Sequence, residues 1–453
     1  MQFTDTIAAI ATAIGSAGIG VIRISGPEAF VSASRIFSSG DKDIAKLPTH
    51  TAHHGALIDP KTGSAIDDVV LTIFRTPASY TGEDVVEISC HGGIAILKHA
   101  LSAVLDAGAR LAEPGEFTKR AFLNGKMDLA QAEAVNDLIR ARTDDARKMA
   151  LRQLDGALSK RVGDINARIL GVIAAIEAAI DFPDDVPEPE TGWIMSGLES
   201  ARDDVDDLLK SFGSGRVYRE GMRLVIAGRV NVGKSSLLNA LLRHARAIVT
   251  PIPGTTRDVI EESLEIHGIP IVAMDTAGLR VTDDPVEKIG VERSRESILS
   301  ADLVLMVLDA TGDLDVTLPK ECEGKPAIVV VNKVDLMPES ECGKLSVDSP
   351  MPIVMTSAST SQGIDELEEK IADIAVSSIS SESVLVSNVR HQRSLISAHE
   401  SIKNAIATLK GGQPIDLLSV DLTSARSSLG LITGETASED LLDRIFSEFC
   451  IGK

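Results

Sequence analysis

Apolar and polar positions change period along the chain, and the changes mark out its elements. Over residues 1–120 the pattern is short and strand-like. Gly20-Val21-Ile22-Arg23-Ile24-Ser25, Asp68-Val69-Val70-Leu71-Thr72-Ile73-Phe74 and Asp84-Val85-Val86-Glu87-Ile88-Ser89 each read as a strand, and Ala95 to Leu105 as a helix. Short strands with interspersed helices predict an α+β domain. From Leu129 to Ile180 the spacing becomes helical, with apolar residues at Leu129, Ala132, Val135, Leu138 and Ile139, then at Leu151, Leu154, Leu158, Val162, Ile165, Ile169, Val172 and Ile176. Pro183, Pro187 and Pro189 break that run, since proline cannot continue a helix, and a further helix is predicted over Met195–Phe212. Between Met222 and about Ile374 continuous apolar runs (223–227, 271–274, 303–308, 327–331, 352–355) alternate with helical stretches. This is the pattern of a parallel sheet covered on both faces. Ser377–Ser383 closes the segment, and 388–449 return to helical spacing. The expected domains are 1–119 (α+β), 120–215 (helical, first part), 216–380 (α/β, inserted) and 381–453 (helical, second part).

Composition narrows the partners. The 453 residues hold 66 acidic and 45 basic side chains, a formal charge of -21, so the overall field does not attract nucleic acid. Aromatic residues make up 3%, too few for wide base-stacking platforms. No apolar run reaches the roughly 18 residues of a membrane span. Met1-Gln2-Phe3-Thr4-Asp5 has no basic, apolar leader pattern, and the expectation is a cytoplasmic protein. The four cysteines (Cys90, Cys322, Cys342, Cys450) form no Cys-x-x-Cys, which indicates neither a zinc ribbon nor a disulfide scaffold.

The chemistry concentrates in the α/β segment. Gly228-Arg229-Val230-Asn231-Val232-Gly233-Lys234-Ser235 fits Gly-x4-Gly-Lys-Ser, lies between a strand at 223–227 and a helix opening at Ser236, and so reads as a phosphate loop. Its amides and helix N-terminus favour phosphate, Lys234 can reach the β/γ-phosphates, and the Ser235 hydroxyl can ligate Mg2+. Asp275-Thr276-Ala277-Gly278 follows the strand at 271–274, where the Asp can hold a Mg2+-bound water and the Gly amide can meet a γ-phosphate. Asn332-Lys333-Val334-Asp335 ends the strand at 327–331. Its carboxylate can accept N1–H and the 2-amino group of guanine, a donor pair adenine lacks, so the nucleotide predicted is GTP. Ser357-Ala358 completes the base pocket. The fold class is therefore an α+β N-terminal domain, an all-α helical domain, and an inserted α/β P-loop GTPase domain of Ras-like type. The candidate GTP contacts are Asn231, Val232, Gly233, Lys234, Ser235 and Ser236; Thr250, Pro251, Ile252, Pro253, Gly254, Thr255 and Thr256; Asp275, Thr276, Ala277 and Gly278; and Asn332, Lys333, Asp335, Ser357 and Ala358.

The position after Asp275-Thr276-Ala277-Gly278, where many small GTPases carry a water-orienting Gln, holds Leu279, which cannot orient water by hydrogen bonding. Charge compensation must come from elsewhere. Asn231 and the 250–256 loop offer hard oxygen ligands for a monovalent cation; the competing reading is that Asn231 only caps its loop.

The whole chain resembles the MnmE (TrmE) family of tRNA modification GTPases. Besides the nucleotide elements, the resemblance rests on Asp5-Thr6-Ile7-Ala8, Gly18 to Gly26, Tyr80-Thr81-Gly82-Glu83-Asp84-Val85, His91-Gly92-Gly93, Pro114-Gly115-Glu116-Phe117, Ala121 to Leu129, Ala178 to Pro183 and the terminal Phe449-Cys450-Ile451-Gly452-Lys453. It implies a homodimer whose GTPase domains associate in a K+-dependent way, with Asn231, Thr250, Ile252 and Thr255 matching the K+ positions, Ser235 and Thr256 the Mg2+ positions, and Glu287 the acidic residue that helps orient water. It makes Lys234, Asn231 and Glu287 the catalytic candidates of the GTPase centre. It also implies a site for a one-carbon tetrahydrofolate at Arg23, Glu87, Lys126 and Lys453. A flavin-dependent partner, MnmG, would complete a hetero-oligomer that meets tRNA and places an aminomethyl or carboxymethylaminomethyl group on C5 of the wobble uridine. Cys450 keeps two readings, a catalytic thiol activated by the nearby lysine or a small packed residue between Phe449 and Ile451. Ala13 and Val230 replace prolines frequent in the family and remove no polar ligand. Two rival functions stand beside this one: a ribosome-assembly or regulatory GTPase, and a folate-binding scaffold without hydrolysis.

Overall fold

The computed structural model describes residues 4–39, 43–229, 231–247, 261–275, 299, 301–312, 314, 316, 324–338, 349–375 and 386–453. These fall into two compact units, Met1–Asn136 with Ser427–Lys453, and Asp137–Arg426.

The first unit is built on a seven-stranded sheet of β1 (Ile7–Ile10), β2 (Ile19–Ser25), β3 (Phe37–Ser38), β4 (Thr51–Ile58), β5 (Ala65–Phe74), β6 (Val85–His91) and β7 (Arg110–Leu111), in the order β3-β4-β5-β6-β2-β1-β7. Apart from the parallel β1–β7 pair it is antiparallel. Side chains alternate between faces, so Ile22 and Ile24, with Val86 and Ile88 and with Val69, Leu71 and Ile73, cover one face. Helices α1 (Ala29–Ile36) and α2 (Ile94–Asp106) bury Ala29, Ala33, Ile36, Leu97, Ala100 and Val104 against it. Arg23 and Glu87, directly opposite one another in register, occupy the other face. Helices α3 (Glu116–Leu123) and α4 (Leu129–Arg140) follow. The C-terminal helix Glu439–Ser447 returns to α3, and Leu442, Phe446 and Phe449 form a small core with Leu129 and Ala132.

The second unit carries helices α5 (Asp144–Leu154), α6 (Ala157–Asp181), α7 (Thr191–Lys210) and α8 (Phe212–Glu220), then an α/β segment, then a long helix. The helical run predicted from Leu129 is three helices. Thr143 caps α5, its hydroxyl accepting from the Ala146 amide, with Asp144 and Asp145 in the favourable first turn. Gly156 at φ +83 starts α6. Helix α8 is absent from the sequence expectation because Gly213, Ser214 and Gly215 are poor helix formers; its packing of Val217 and Tyr218 with the core beside β11 (Ile269–Asp275) overrides that preference.

The α/β sheet has the order β14-β13-β12-β8-β11-β10-β9, from β8 (Met222–Gly228), β9 (Arg246–Ala247), β10 (Glu261–Ile266), β11, β12 (Leu303–Asp309), β13 (Ala327–Asn332) and β14 (Ile353–Met355). Strands β14, β13, β12, β8 and β11 are parallel. Leu224–Ala227, Leu303–Leu308 and Ala327–Asn332 are buried on both faces, which is why they read as unbroken apolar runs. Helices α9 (Lys234–His244) and α10 (Ile364–Ala375) cover the sheet. Helix α11 (Val389–Lys410) packs along α7, so helices lying before and after the α/β segment in sequence meet. No helix among the described residues is long and apolar enough to cross a membrane.

Candidate functional site

The nucleotide constellation assembles at the C-terminal ends of the parallel strands. β8 runs into Gly228, whose φ of +149 and close approach to the Val307 carbonyl leave no room for a Cβ. Asn231 at φ +66 and Gly233 at φ +97 turn the chain back, and α9 starts at Lys234 with its first helical bond from the Leu237 amide to the Gly233 carbonyl, 2.8 Å. The amides before that bond have no helical acceptor and suit an anion. Lys234 Nζ donates to the carbonyls of Gly228 (3.0 Å) and Arg229 (2.8 Å) and so stays over the loop. Ser235 and Ser236 are exposed on the first turn. Asp275 ends β11 opposite Ile226.

Asn332, the last residue of β13, and Lys333 after it bolt the base element to this loop. The buried Asn332 donates from Nδ2 to the Val232 carbonyl (3.0 Å), and its Oδ1 accepts from the Ala358 amide (3.0 Å). Lys333, at φ +68, donates from Nζ to the Asn231 carbonyl and to Asp309 Oδ2, both 2.6 Å. Burial pushes the Asp309 carboxyl up, but the bond from Lys333 and those from Thr311 hold it below its usual range. Asp335 is open to solvent; the Ser357 hydroxyl, then that of Ser359 at 3.1 Å, keeps its carboxyl low. Loop 357–362 is closed by a bridge between Ser357 and Gln362. Asp309 and Ser359 were not among the sequence candidates. Asp309 had a signal: it ends the apolar run of β12 in register with Asn332 at the end of β13. Thr250–Thr256, Thr276–Gly278, Leu279 and Glu287 lie outside the described residues.

In the first unit Arg23 Nε donates to Glu87 Oε1 at 2.8 Å, and its guanidinium lies 5.2 Å from the Tyr80 ring centre and 5.6 Å from that of Phe117. The C-terminal tail reaches the same place. Arg23 Nη1 is 3.5 Å from the Gly452 carbonyl, and the Gly115 amide meets the Cys450 carbonyl at 3.4 Å. Burial, then the Arg23 charge, draws the Lys453 amine below its usual range, against Glu87 and Cys450. Cys450 is exposed while Phe449 is buried. Lys126, also exposed, donates to the Pro77 carbonyl at 2.9 Å, at the base of the loop that carries Tyr80. Arg23, Glu87 and Lys453 are thus brought together, with Lys126 held on the neighbouring loop.

Beneath this cluster lies a buried ionic network that sequence reading did not assign. The Arg120 side chain is fully buried, and it donates to Asp5 (2.9 Å), Glu116 (3.0 Å) and Glu83 (3.2 Å). Arg110 adds two bonds to Glu116, at 2.7 and 2.9 Å, and two to Asp5. Asp5, Glu83 and Glu116 sit in three of the motifs that carry the family resemblance.

Two family models match in sequence order. The "GTP-binding protein TrmE N-terminus" covers residues 6–126, and the "MnmE helical domain" covers residues 129–450, more than half of the chain. The chain belongs to the MnmE family. Full-length relatives named "tRNA modification GTPase MnmE" include one from Enterococcus faecalis, 45% identical over 461 residues (100% of this chain, 99% of the relative), and one from Desulforamulus reducens, 48% identical over 464 residues (99% of each). A relative of the same name from Geobacillus kaustophilus is 47% identical over 458 residues, again 99% of each chain. The family's match over 129–450 spans helices on both sides of the α/β segment, in keeping with the α7–α11 packing.

Proposed function

We propose that the chain hydrolyses GTP to GDP and phosphate as the GTPase of a tRNA wobble-uridine modification system. The observation that carries this reading is the joining of Asn332 and Lys333 to the phosphate loop, which sets a guanine-reading carboxylate, Asp335, at a fixed distance from the phosphate-binding Lys234. In this reading the loop amides and Lys234 hold the phosphates, Asp335 accepts from the base edge, and Ala358 and Ser357 close the pocket over it. Mg2+, when bound, supplies charge neutralisation at the phosphates. Ser235 fits that ion, as it lies exposed on the first turn of α9, with Thr256 as the second ligand in this reading. Asp275 would hold a water of that ion. K+ would take the place of an arginine finger among Asn231, Thr250, Ile252 and Thr255. Asn231 already gives its backbone carbonyl to Lys333, so the side-chain oxygen is what it offers. Glu287 positions the attacking water, the role that Leu279 cannot fill.

The folate reading is supported by the chemistry of the donor set. Arg23 and Lys453 are cations drawn together at one edge, and Lys453 is held there against the cost of burial and of Arg23's charge. An anionic ligand relieves both costs, and Glu87 can accept from a pterin amide edge. Lys126 would approach the ligand from the Pro77 loop. Cys450, exposed beside Lys453, is the thiol available to a one-carbon unit. The remaining assignments are a cytoplasmic homodimer, with the flavoprotein MnmG supplying the redox chemistry and most of the basic tRNA surface.

GTP turnover measured in K+ and in Na+ tests the cation role. The expected result is a large stimulation by K+, and equal rates in the two salts refute it. The modification profile of tRNA from a strain lacking this chain tests the pathway, and an unchanged wobble uridine refutes it in favour of a regulatory GTPase.

A further inference from the structure

On α10 the core-facing stripe is Ile364, Leu367, Glu368 and Ile371. Three of these are apolar and fully buried, and the fourth is a carboxylate with only 9% exposure. Its Oε1 is buried and has no hydrogen-bond partner. A charged oxygen in such a place is costly unless something compensates it. The group facing it is His244, the last residue of α9, whose Nδ1 is 3.4 Å from Glu368 Oε1. The other ring nitrogen, Nε2, is 3.5 Å from Asp365 Oδ1, one turn earlier on α10. Both distances are long for a charge-assisted hydrogen bond, about 2.7–2.9 Å. The first of them matches the spacing of two donors held about 2.0–2.2 Å from one tetrahedral ion, roughly 3.3–3.6 Å.

We propose that His244, Asp365 and Glu368 bind a divalent transition-metal ion of the zinc class. One His nitrogen and one oxygen from each carboxylate lie within 4.8 Å of one another. The exposed His244 and Asp365 can rotate to close the remaining distance. An imidazole among the ligands favours zinc or cobalt over Mg2+ and Ca2+, which prefer all-oxygen sites. Three protein ligands leave a fourth position for water. The ion joins the end of α9, which begins at the phosphate loop, to the start of α10, which begins just after the Ser357–Ala358 loop. It therefore acts as a staple across the two nucleotide-binding loops' supporting helices, and as compensation for the buried Glu368.

The test uses the full chain, stripped with chelator and saturated with GDP and Mg2+. Co2+ is added and read by the visible d–d absorption of a four-coordinate ion; Zn2+ is then titrated calorimetrically and by melting temperature. One equivalent of Co2+ is expected to develop the band, Zn2+ to displace it, and millimolar Mg2+ not to. His244→Ala and Asp365→Asn, both at exposed positions, are expected to melt like wild type in chelator, to lose the band, and to weaken Zn2+ binding by about tenfold to a hundredfold or more. Glu368→Leu is expected to raise the melting temperature in chelator while abolishing the response to Zn2+, since it removes an uncompensated buried charge. The absence of a band in wild type, an equal band in His244→Ala, or displacement by Mg2+ overturns the proposal.

Discussion

Gly452→Ala tests whether the C-terminal tail builds the proposed anion site of the first unit. Gly452 adopts φ +94, a region L side chains avoid. A Cβ there would run into the Ile10 carbonyl oxygen and stand 3.0 Å from Ala11 Cα, both backbone of β1 and its extension, which cannot swing aside as a side chain can. The dihedral strain alone costs of order 1–3 kcal/mol, and the clash adds to it. Taking about 2 kcal/mol, the ratio of seated to released tail falls roughly 30-fold. Phe449, buried with Phe446, still anchors the residues before it, so release is confined to 450–453. Amide exchange at Ile451–Lys453 is expected to quicken by that factor. Affinity for a reduced folate such as 5-formyltetrahydrofolate is expected to fall about tenfold or more, with GDP affinity unchanged. Gly63→Ala, in a β4–β5 turn at φ +71 with open space around it, carries similar strain without the clash and should leave the tail and the ligand alone. Wild-type exchange at the tail of Gly452→Ala refutes the steric reasoning. A loosened tail with undiminished folate affinity refutes the folate reading and leaves the steric one standing.

Two further perturbations separate the site's parts. Asp335→Asn replaces a carboxylate acceptor with an amide that opposes the guanine donors; losing two charge-assisted bonds at about 1.5 kcal/mol each lowers GDP affinity roughly 100-fold, measured by titration, while weak ATP binding stays as it was. Arg120→Met takes the shared partner from Asp5, Glu83 and Glu116, leaving Arg110 to hold Asp5 and Glu116, and should cost about 3–5 kcal/mol, read by urea denaturation of the first unit. Trp193, the sole tryptophan, lies in α7 of the second unit, so its fluorescence serves as an internal control. Burial raises the Glu116 and Asp5 carboxyls, but the bonds from Arg110 and Arg120 outweigh it and hold both below their ordinary values of 4.5 and 3.8. Depressed carboxyls stabilise the fold above their unfolded pKa, so the deficit of Arg120→Met should be full above about pH 4.5 and narrow as pH falls through the folded values. A deficit under 1 kcal/mol, or one that grows in acid, refutes the network's role.

Period and motif order made the α/β segment legible because its function and its fold use the same residues. A strand buried on both faces reads as a continuous apolar run, and each nucleotide element follows such a run directly. Asn332 and Ser357 are therefore legible from the spacing alone, each at or just after the end of such a run. The ties between those elements were not legible: nothing in the spacing says that Lys333 reaches back to the Asn231 carbonyl, because that depends on two loops meeting in space. The first unit hides more. Asp5, Glu83 and the helix carrying Glu116 and Arg120 are far apart in sequence, and these charges read singly as surface ones, yet one fully buried guanidinium gathers all three carboxylates. Helix α8 was hidden by its glycines, since tertiary packing rather than propensity forms it. The same blindness applies to Glu368: helical periodicity alone marks it as one polar residue among several on α10, and only burial shows it on the core face.

The buried network also explains why the signature motifs of the first unit act together. Arg120 cannot be solvated where it lies, so each of its three carboxylate partners constrains a different segment: Asp5 the entry to β1, Glu83 the loop carrying Tyr80, and Glu116 the start of α3. Those three segments are the ones that surround Arg23. Tyr80 and Phe117 lie against its guanidinium, and the extension of β1 receives Gly452. The Arg23–Glu87 pair is fixed by strand register, but its walls are loops, and loops hold a geometry only when something ties them down. A fully buried charge does so strongly, because any displacement of a partner leaves part of that charge uncompensated in a low-dielectric interior. The ion network is thus the outer support of the proposed anion site, which is why Asp5-Thr6-Ile7-Ala8, Tyr80 to Val85 and Pro114 to Phe117, motifs that hold none of the proposed ligand contacts, accompany the motifs that do.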